Sequence, residues 1–243
     1  MLKEGLVREK LKNAGRILVS YLQKTLFSDF ISFCKWLLIA LGAGGMIGLA
    51  GTGFHMAIGW AEGFREDQTW LFWLLPVGGL FIALLYRWCG MEADPGTDMV
   101  LFSVRSEAKI SWKTAPLIFV STVITHLLGG SAGREGAALQ LGGSLGQTLG
   151  RLLRLDIKDL HIITLCGMSA GFAALFGTPM TAAIFAMEVI SVGVMYYAAL
   201  VPCVLAEVVD SEISFALGSL PTVFSLAAEV VPEISPLEAA QVV

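Results

Sequence analysis

Charged residues are scarce in this sequence, and their scarcity excludes an ordinary soluble domain. Only 15% of the 243 residues are charged and 56% are hydrophobic, with a mean hydropathy of +0.74. Soluble domains carry about 25% charged residues, so water is not the main solvent of this chain. The net charge of −4 implies no nucleic-acid partner. The composition therefore indicates an integral membrane protein.

Histidine and cysteine are too few and too dispersed for a metal or redox site. The four cysteines form no Cys-x-x-Cys pair, and the three histidines have no metal-ligand spacing. They are Cys34, Cys89, Cys166, Cys203, His55, His126 and His161. We predict no metal, no cofactor and no disulfide, and we expect the thiols to behave as small hydrophobes. Asp94 and Asp98 form a close acidic pair, but both lie beside charged loops, so no membrane enzyme is predicted.

Long uncharged stretches supply the membrane-spanning segments. They run over residues 36–61, 69–86, 114–133 and 160–187. Each reaches or approaches the roughly 20 residues that a helix needs to cross a bilayer, so we predict at least four crossings. Gly177-Thr178-Pro179 interrupts the last stretch, with Thr178 suited to the N-cap and Pro179 to the first helical position. The expected fold class is therefore an all-α polytopic membrane protein with broken helices.

The two ends of the sequence differ from its centre. The first 35 residues hold seven basic residues and no apolar core followed by a cleavage site, so a cleaved signal peptide is not predicted. Residues 1–29 are expected to form an amphipathic cytoplasmic helix on the membrane surface. Residues 221–243 show a weakly structured C-terminal pattern. The segment from Ile190 to about Leu217 carries three acids, Glu207, Asp210 and Glu212, and is expected to end early or to leave the bilayer there.

The candidate functional segment is the glycine-rich turn from Gly129 to Ala137. It precedes a helix that begins near Arg134 and carries a small-residue packing ridge of Gly142, Gly146 and Gly150. A helix start presents unpaired N–H groups and about half a positive charge, so an anion and the carboxylate of Glu135 would compete for it. The alternative is that Glu135 only caps the helix and pairs with Arg134.

The residues of this turn resemble the signature of a known family. Gly130-x-x-Gly133-Arg134-Glu135-Gly136 is similar to the Gly-x-x-Gly-Arg/Lys-Glu-Gly-Pro motif of ClC chloride channels and proton-coupled exchangers. Two later segments, residues 140–146 and 170–188, also match in order and spacing. The resemblance covers about residues 30–220 and implies a ClC-like transmembrane half, which is the first inverted repeat with tilted and broken helices.

By this resemblance, Glu135 is the gate of an anion path in the cell membrane. The anion would be held by the turn residues around it and by a second turn at residues 94–98; these residues are Gly96, Thr97, Gly133, Arg134, Gly136 and Ala137. Glu188 matches the first glutamate of a pair in the exchangers, and Val189 replaces the second one. Glu188 is therefore the candidate for a proton path.

The identity of the transported anion stays open between chloride and fluoride. Pro95 occupies the position of the family serine whose hydroxyl contacts chloride, and Ala137 replaces the signature proline. Together with Val189, these departures favour the fluoride-exporting branch. The sequence does not decide between a channel and a proton-coupled antiporter.

The features of a second inverted repeat are not found after Glu188. The resemblance places a Gly-x-Phe-x-Pro turn and a tyrosine of the anion site in that repeat. We therefore expect a half-length fragment or an assembly subunit that pairs with a partner half, and either could be non-conducting alone. A full-length protein is expected to form a homodimer in the lipid bilayer.

Overall fold

The computed structural model is helical, and it describes residues 2–190 and 196–219. Two 3₁₀ turns, Thr69–Leu74 and Tyr197–Ala199, join the α-helices. The α-helices are α1 Leu2–Asp67, α2 Leu75–Trp88, α3 Thr97–Arg105, α4 Thr114–Leu127, α5 Arg134–Leu152, α6 Ile157–Phe176, α7 Pro179–Glu188 and α8 Leu200–Ala216. Within the described ranges there is no strand, which confirms the all-α fold class.

Within the described residues, three segments are long and apolar enough to cross a bilayer, by length and composition. They are Phe30–Asp67, Thr69–Trp88 and Ile157–Phe176. The stretch predicted from Thr114 to Gly133 forms the shorter apolar helix α4, which has 14 residues. The stretch from Leu160 to Met187 breaks as predicted: α6 ends at Gly177, whose φ is 65°, and α7 begins with Pro179, although Thr178 makes no side-chain cap bond.

α6 lies at the centre of the bundle. Its apolar window is 72% buried, whereas that of the Thr69–Trp88 segment is 11% buried. The outer surface of α2 and its flanking turn carries large apolar side chains, among them Trp73 and Trp88. Such a surface suits lipid rather than water, because a soluble monomer rarely exposes extended apolar patches.

Glycines let α5 and α6 cross in close contact. A methyl group on Gly142 would overlap the carbonyl oxygen of Gly167, and one on Gly146 would come within 2.5 Å of the Ile163 carbonyl oxygen. Small residues are what permits such backbone approach in membrane proteins. The predicted ridge of Gly142, Gly146 and Gly150 is confirmed.

Helices α1 and α8 each continue past a point where the sequence predicted a change. α1 continues as one helix through residue 29, so no backbone break separates the predicted surface helix from the first span; residues 221–243 lie outside the described ranges. The expected early end at the acids of α8 is wrong. α8 continues to Ala216 and buries Glu207 and Asp210, because it packs between α1 and α6.

Candidate functional site

The glycine-rich turn leaves the start of α5 without a side-chain cap. Gly129 has a φ of 79°, a conformation that favours glycine, and Gly130 N–H donates to the Thr125 carbonyl at 2.8 Å. Gly133 is the N-cap residue, with extended backbone and no side-chain cap bond. The first N–H groups of α5 therefore face the turn as an anion-attracting end of the helix dipole.

The Glu135 side chain folds back toward this helix start. Glu135 is in the first turn of α5 and its side chain is exposed. A methyl group placed on Gly133 would come within 2.8 Å of Glu135 Oε2, so the carboxylate lies against the N-cap residue. A side chain at position 133 would therefore displace the Glu135 carboxylate from this place.

The alternative, in which Glu135 only caps α5, requires an ion pair between Glu135 and Arg134. Arg134 instead lies near Glu62. Its Nη1 atom lies 3.9 Å from Glu62 Oε2, and Glu62 Oε1 lies 3.0 Å from Nδ1 of the nearly buried His126. Among the described residues, Glu135 forms no ion pair with Arg134 and no cap bond. Glu62 therefore draws the neighbouring guanidinium away from the Glu135 carboxylate.

The start of α3 adjoins the start of α5. α3 begins at Thr97 after Gly96, whose φ is 70° and whose N–H donates to Asp94 Oδ1 at 2.9 Å. A methyl group on Gly136 would come within 2.8 Å of Thr97 Oγ1. Two helix starts, each the positive end of a helix dipole, thus meet where the Thr97 hydroxyl contacts the first turn of α5.

Gln140 fixes this junction, and sequence reasoning gave it no role in the site. Its Nε2 donates to Thr97 Oγ1 at 2.9 Å. Because the Thr97 oxygen accepts this bond, the hydroxyl proton of Thr97 is free to donate to another acceptor. Gln140 lies one helical turn after Gly136, and this spacing was the only sequence signal that it faces the same side of α5. Its contact with α3 depends on tertiary packing.

Two cavities lie beside the two turns. One, of about 290 Å³, lies between the end of α1, the end of α4 and the glycine-rich turn. Its lining residues are Glu62, Arg65, His126, Gly129, Gly130, Ser131 and Ala132. The other, of about 260 Å³, is lined by Asp94, Pro95, Lys109 and their neighbours. Sequence reasoning missed the Glu62–His126 contact, since the two residues are 64 positions apart.

The structure does not bring every predicted residue to this junction. Gly96, Thr97, Gly133, Glu135 and Gly136 gather there. The methyl group of Ala137 is buried in an apolar cluster with Phe54 and Leu141, and Glu188 is exposed at the end of α7, which packs against α6 and α8.

Comparisons with known proteins give a consistent picture. A family model described as "Voltage gated chloride channel" matches residues 78–242. A "Chloride/fluoride channel protein" of Pseudomonas syringae pv. tomato is 38% identical over 199 residues, which are 82% of this chain and 44% of that protein. An "H(+)/Cl(-) exchange transporter ClcA" of Cronobacter sakazakii is 29% identical over 74% of this chain and 42% of its own length.

A solved structure shares the fold. The chain resembles the crystal structure of a CLC-type fluoride/proton antiporter with a TM-score of 0.74 and 34% identity, over 83% of this chain and 53% of that one. The chain spans about half the length of the relatives it matches.

Proposed function

Because this chain belongs to the voltage-gated chloride channel family, we propose that it forms one half of a transmembrane path for a small halide anion, with Glu135 as its gate. The observation that carries the proposal is the meeting of the α3 and α5 starts at Thr97 and Gly136, with the Glu135 carboxylate folded against Gly133. Each helix start supplies unpaired N–H donors and about half a positive charge.

The gate works by competition for these donors. The ionised Glu135 carboxylate occupies the same region of positive potential that a halide would enter. Protonation of Glu135 removes its charge, and an arriving anion displaces it, so either event opens the path. Glu62 supports this mechanism because it pairs with Arg134 and leaves Glu135 dependent on the helix start alone.

Fluoride fits the site better than chloride does. Pro95 has neither a hydroxyl nor an N–H group to offer a chloride ion, whereas Thr97 retains its hydroxyl proton beside Gly136. The names of two relatives also include fluoride, and chloride remains the second candidate.

The two cavities are the approaches to the site from opposite sides of the membrane. The loop around Arg87, Arg105 and Lys109 is basic and is assigned to the cytoplasm, so the cavity at Pro95 opens inward. The cavity beside Glu62 and Ser131 then opens outward.

Residues 30–220 form this half of the path and residues 1–29 lie on the cytoplasmic surface. The complete protein is placed in the cell membrane as a homodimer, with Glu188 as the candidate proton carrier if transport is coupled to protons.

Anion efflux from liposomes that contain the complete gene product tests this proposal. Fluoride and chloride are compared for the wild-type protein, Glu135→Gln and the control Glu107→Gln, whose side chain is exposed in the loop after α3. We expect wild-type efflux of fluoride in excess of chloride, and a rate altered by Glu135→Gln much more than by Glu107→Gln. Efflux of chloride alone would assign the protein to the chloride branch. Efflux of neither anion would favour the alternative of a non-conducting assembly subunit.

A further inference from the structure

Two buried acids on α8 are not used by the anion site. Glu207 and Asp210 are three residues apart, so they share one face of the helix, and each is 0% exposed. This face packs between α1 and α6. Acids inside a membrane protein are costly, and those that persist mark functional sites by default.

α1 encloses these acids through close helix contact. A methyl group on Gly48 would come within 2.8 Å of Asp210 Oδ1, and Thr52 Oγ1 lies 2.6 Å from Ser214 Oγ. From the Gly48–Asp210 contact to the Thr52–Ser214 contact, the residue number increases by four on each helix. α1 and α8 therefore run parallel. The glycine at position 48 makes the space that the Asp210 side chain fills.

None of the four carboxylate oxygens has a hydrogen-bond partner among the residues that the structure describes. The hydroxyl oxygen of the adjacent Ser211 is also buried without a partner in that part of the chain. The polar groups that neighbour the pair from α6 are Ser169 and the thiol of Cys166, which contacts the thiol of Cys203 on α8. These unpartnered buried oxygens point to a bound species.

The part of the chain that the structure describes places no basic side chain against the pair. None of the ion pairs within the described residues includes Glu207 or Asp210. The segments 191–195 and 220–243 contain no Lys, Arg or His, and residues 44–52 of α1 contain no titratable side chain. His55, seven residues after Gly48 in α1, interacts electrostatically with Arg134 and Glu62. Lys35, 13 residues before Gly48, pairs with Asp159.

A carboxylate that lacks a counter-ion becomes neutral by binding a proton, because the isolated charge is too costly to bury. We propose that Glu207 and Asp210 form an intramembrane proton-binding site, enclosed by α1, α6 and α8, that takes up and releases protons during transport. The inference rests on the proposed function, to which it adds a proton carrier on α8 besides the candidate Glu188 at the end of α7.

Carbodiimide labelling tests the site without any transport. Dicyclohexylcarbodiimide, an apolar reagent, forms a stable adduct with a protonated carboxyl in an apolar environment, and mass spectrometry locates the adduct. At neutral pH we expect an adduct on Glu207 or Asp210 and none on Glu212, which is exposed on the same helix. No adduct on either buried acid would overturn the proposal. Protection by sodium or potassium at constant pH would also overturn it, in favour of a metal cation.

The ratio of proton flux to fluoride flux tests the role in transport. In liposomes, Glu207→Gln and Asp210→Asn are expected to lower this ratio by about tenfold or more, because proton transfer by a positioned side chain contributes at least that factor. Glu212→Gln should leave the ratio unchanged. An unchanged ratio in both buried variants would overturn the inference while fluoride transport stands. An absence of wild-type fluoride flux would instead overturn the proposed function, and the labelling experiment would still report on the pair.

Discussion

Individual side chains set the chemistry of the junction between α3 and α5. Thr97 accepts a hydrogen bond from Gln140 and contacts Gly136, so its hydroxyl proton is the one side-chain donor that we assign to the anion. Glu62 binds His126 and Arg134 and thereby keeps a guanidinium away from Glu135. These contacts join residues that are distant in the sequence, which is why local patterns did not reveal them.

Removal of the Thr97 hydroxyl should weaken anion binding. Thr97→Val deletes the donor and also leaves the Gln140 amide without its acceptor. A hydrogen bond to a charged group contributes about 1.5–3 kcal/mol, so we expect the anion dissociation constant to rise by roughly tenfold to a hundredfold. Fluoride titration calorimetry on purified protein measures the change. Thr97→Ser keeps the hydroxyl and is the control; an equal loss in both variants would contradict the assigned role.

At the scale of elements, close helix contacts hold the site together. α5 carries Glu135 at its start and the glycine ridge along its length, so its crossing with α6 fixes the position of the gate. The backbone approach at Gly142 and Gly167 replaces side-chain packing with direct contact between the two helices. Van der Waals packing of this kind drives helix association in lipid, where no hydrophobic effect is available between helices.

A methyl group on this ridge should destabilise the protein. Gly142→Ala would overlap the Gly167 carbonyl, and overpacking costs about 1–3 kcal/mol. Gly53→Ala is the control, because no atom lies within 4 Å of the added methyl group and alanine is favoured over glycine in a helix by about 1 kcal/mol. Thermal unfolding in detergent should show a lower melting temperature only for Gly142→Ala. Equal melting temperatures of Gly142→Ala and Gly53→Ala would contradict this prediction and show that α5 and α6 can move apart at little cost.

Sequence patterns predicted the features that depend on neighbouring residues. The break at Gly177, the start of α5 at Arg134 and the glycine ridge each follow from local turn chemistry or helical spacing, and each is confirmed. The burial of Glu207 and Asp210 was not predicted, because it depends on packing against Gly48, which is about 160 positions earlier. For the same reason the contact between Thr97 and Gln140 emerged only from the structure.

The chain as a whole supplies two helix starts to the proposed anion site. It spans about half the length of its relatives, and the family match confirms the ClC-like helical half that the glycine-turn motif predicted. A halide that enters the membrane loses its hydration shell and needs donors on every side. Two helix starts and one hydroxyl are part of such a shell.

The charge pattern predicts the orientation of the chain in the membrane. Asp67, the last residue of α1, should lie outside, and Glu107, in the basic loop after α3, should lie in the cytoplasm; both side chains are exposed. A membrane-impermeant thiol reagent on intact cells should label Asp67→Cys and should label Glu107→Cys only after permeabilisation. The wild-type protein gives the background from its native cysteines. The reverse labelling pattern would mean that the cavity at Pro95 opens outward and the cavity beside Glu62 opens inward.

Anion binding by Glu135→Gln tests whether the Glu135 carboxylate and a halide compete for the same helix start. Fluoride and chloride are titrated calorimetrically into the wild-type protein, Glu135→Gln and the control Glu188→Gln at neutral pH. Removal of the competing charge should tighten binding of at least one halide several-fold in Glu135→Gln and leave the affinity of Glu188→Gln at the wild-type value. Binding that is unchanged or weaker in Glu135→Gln would contradict the account.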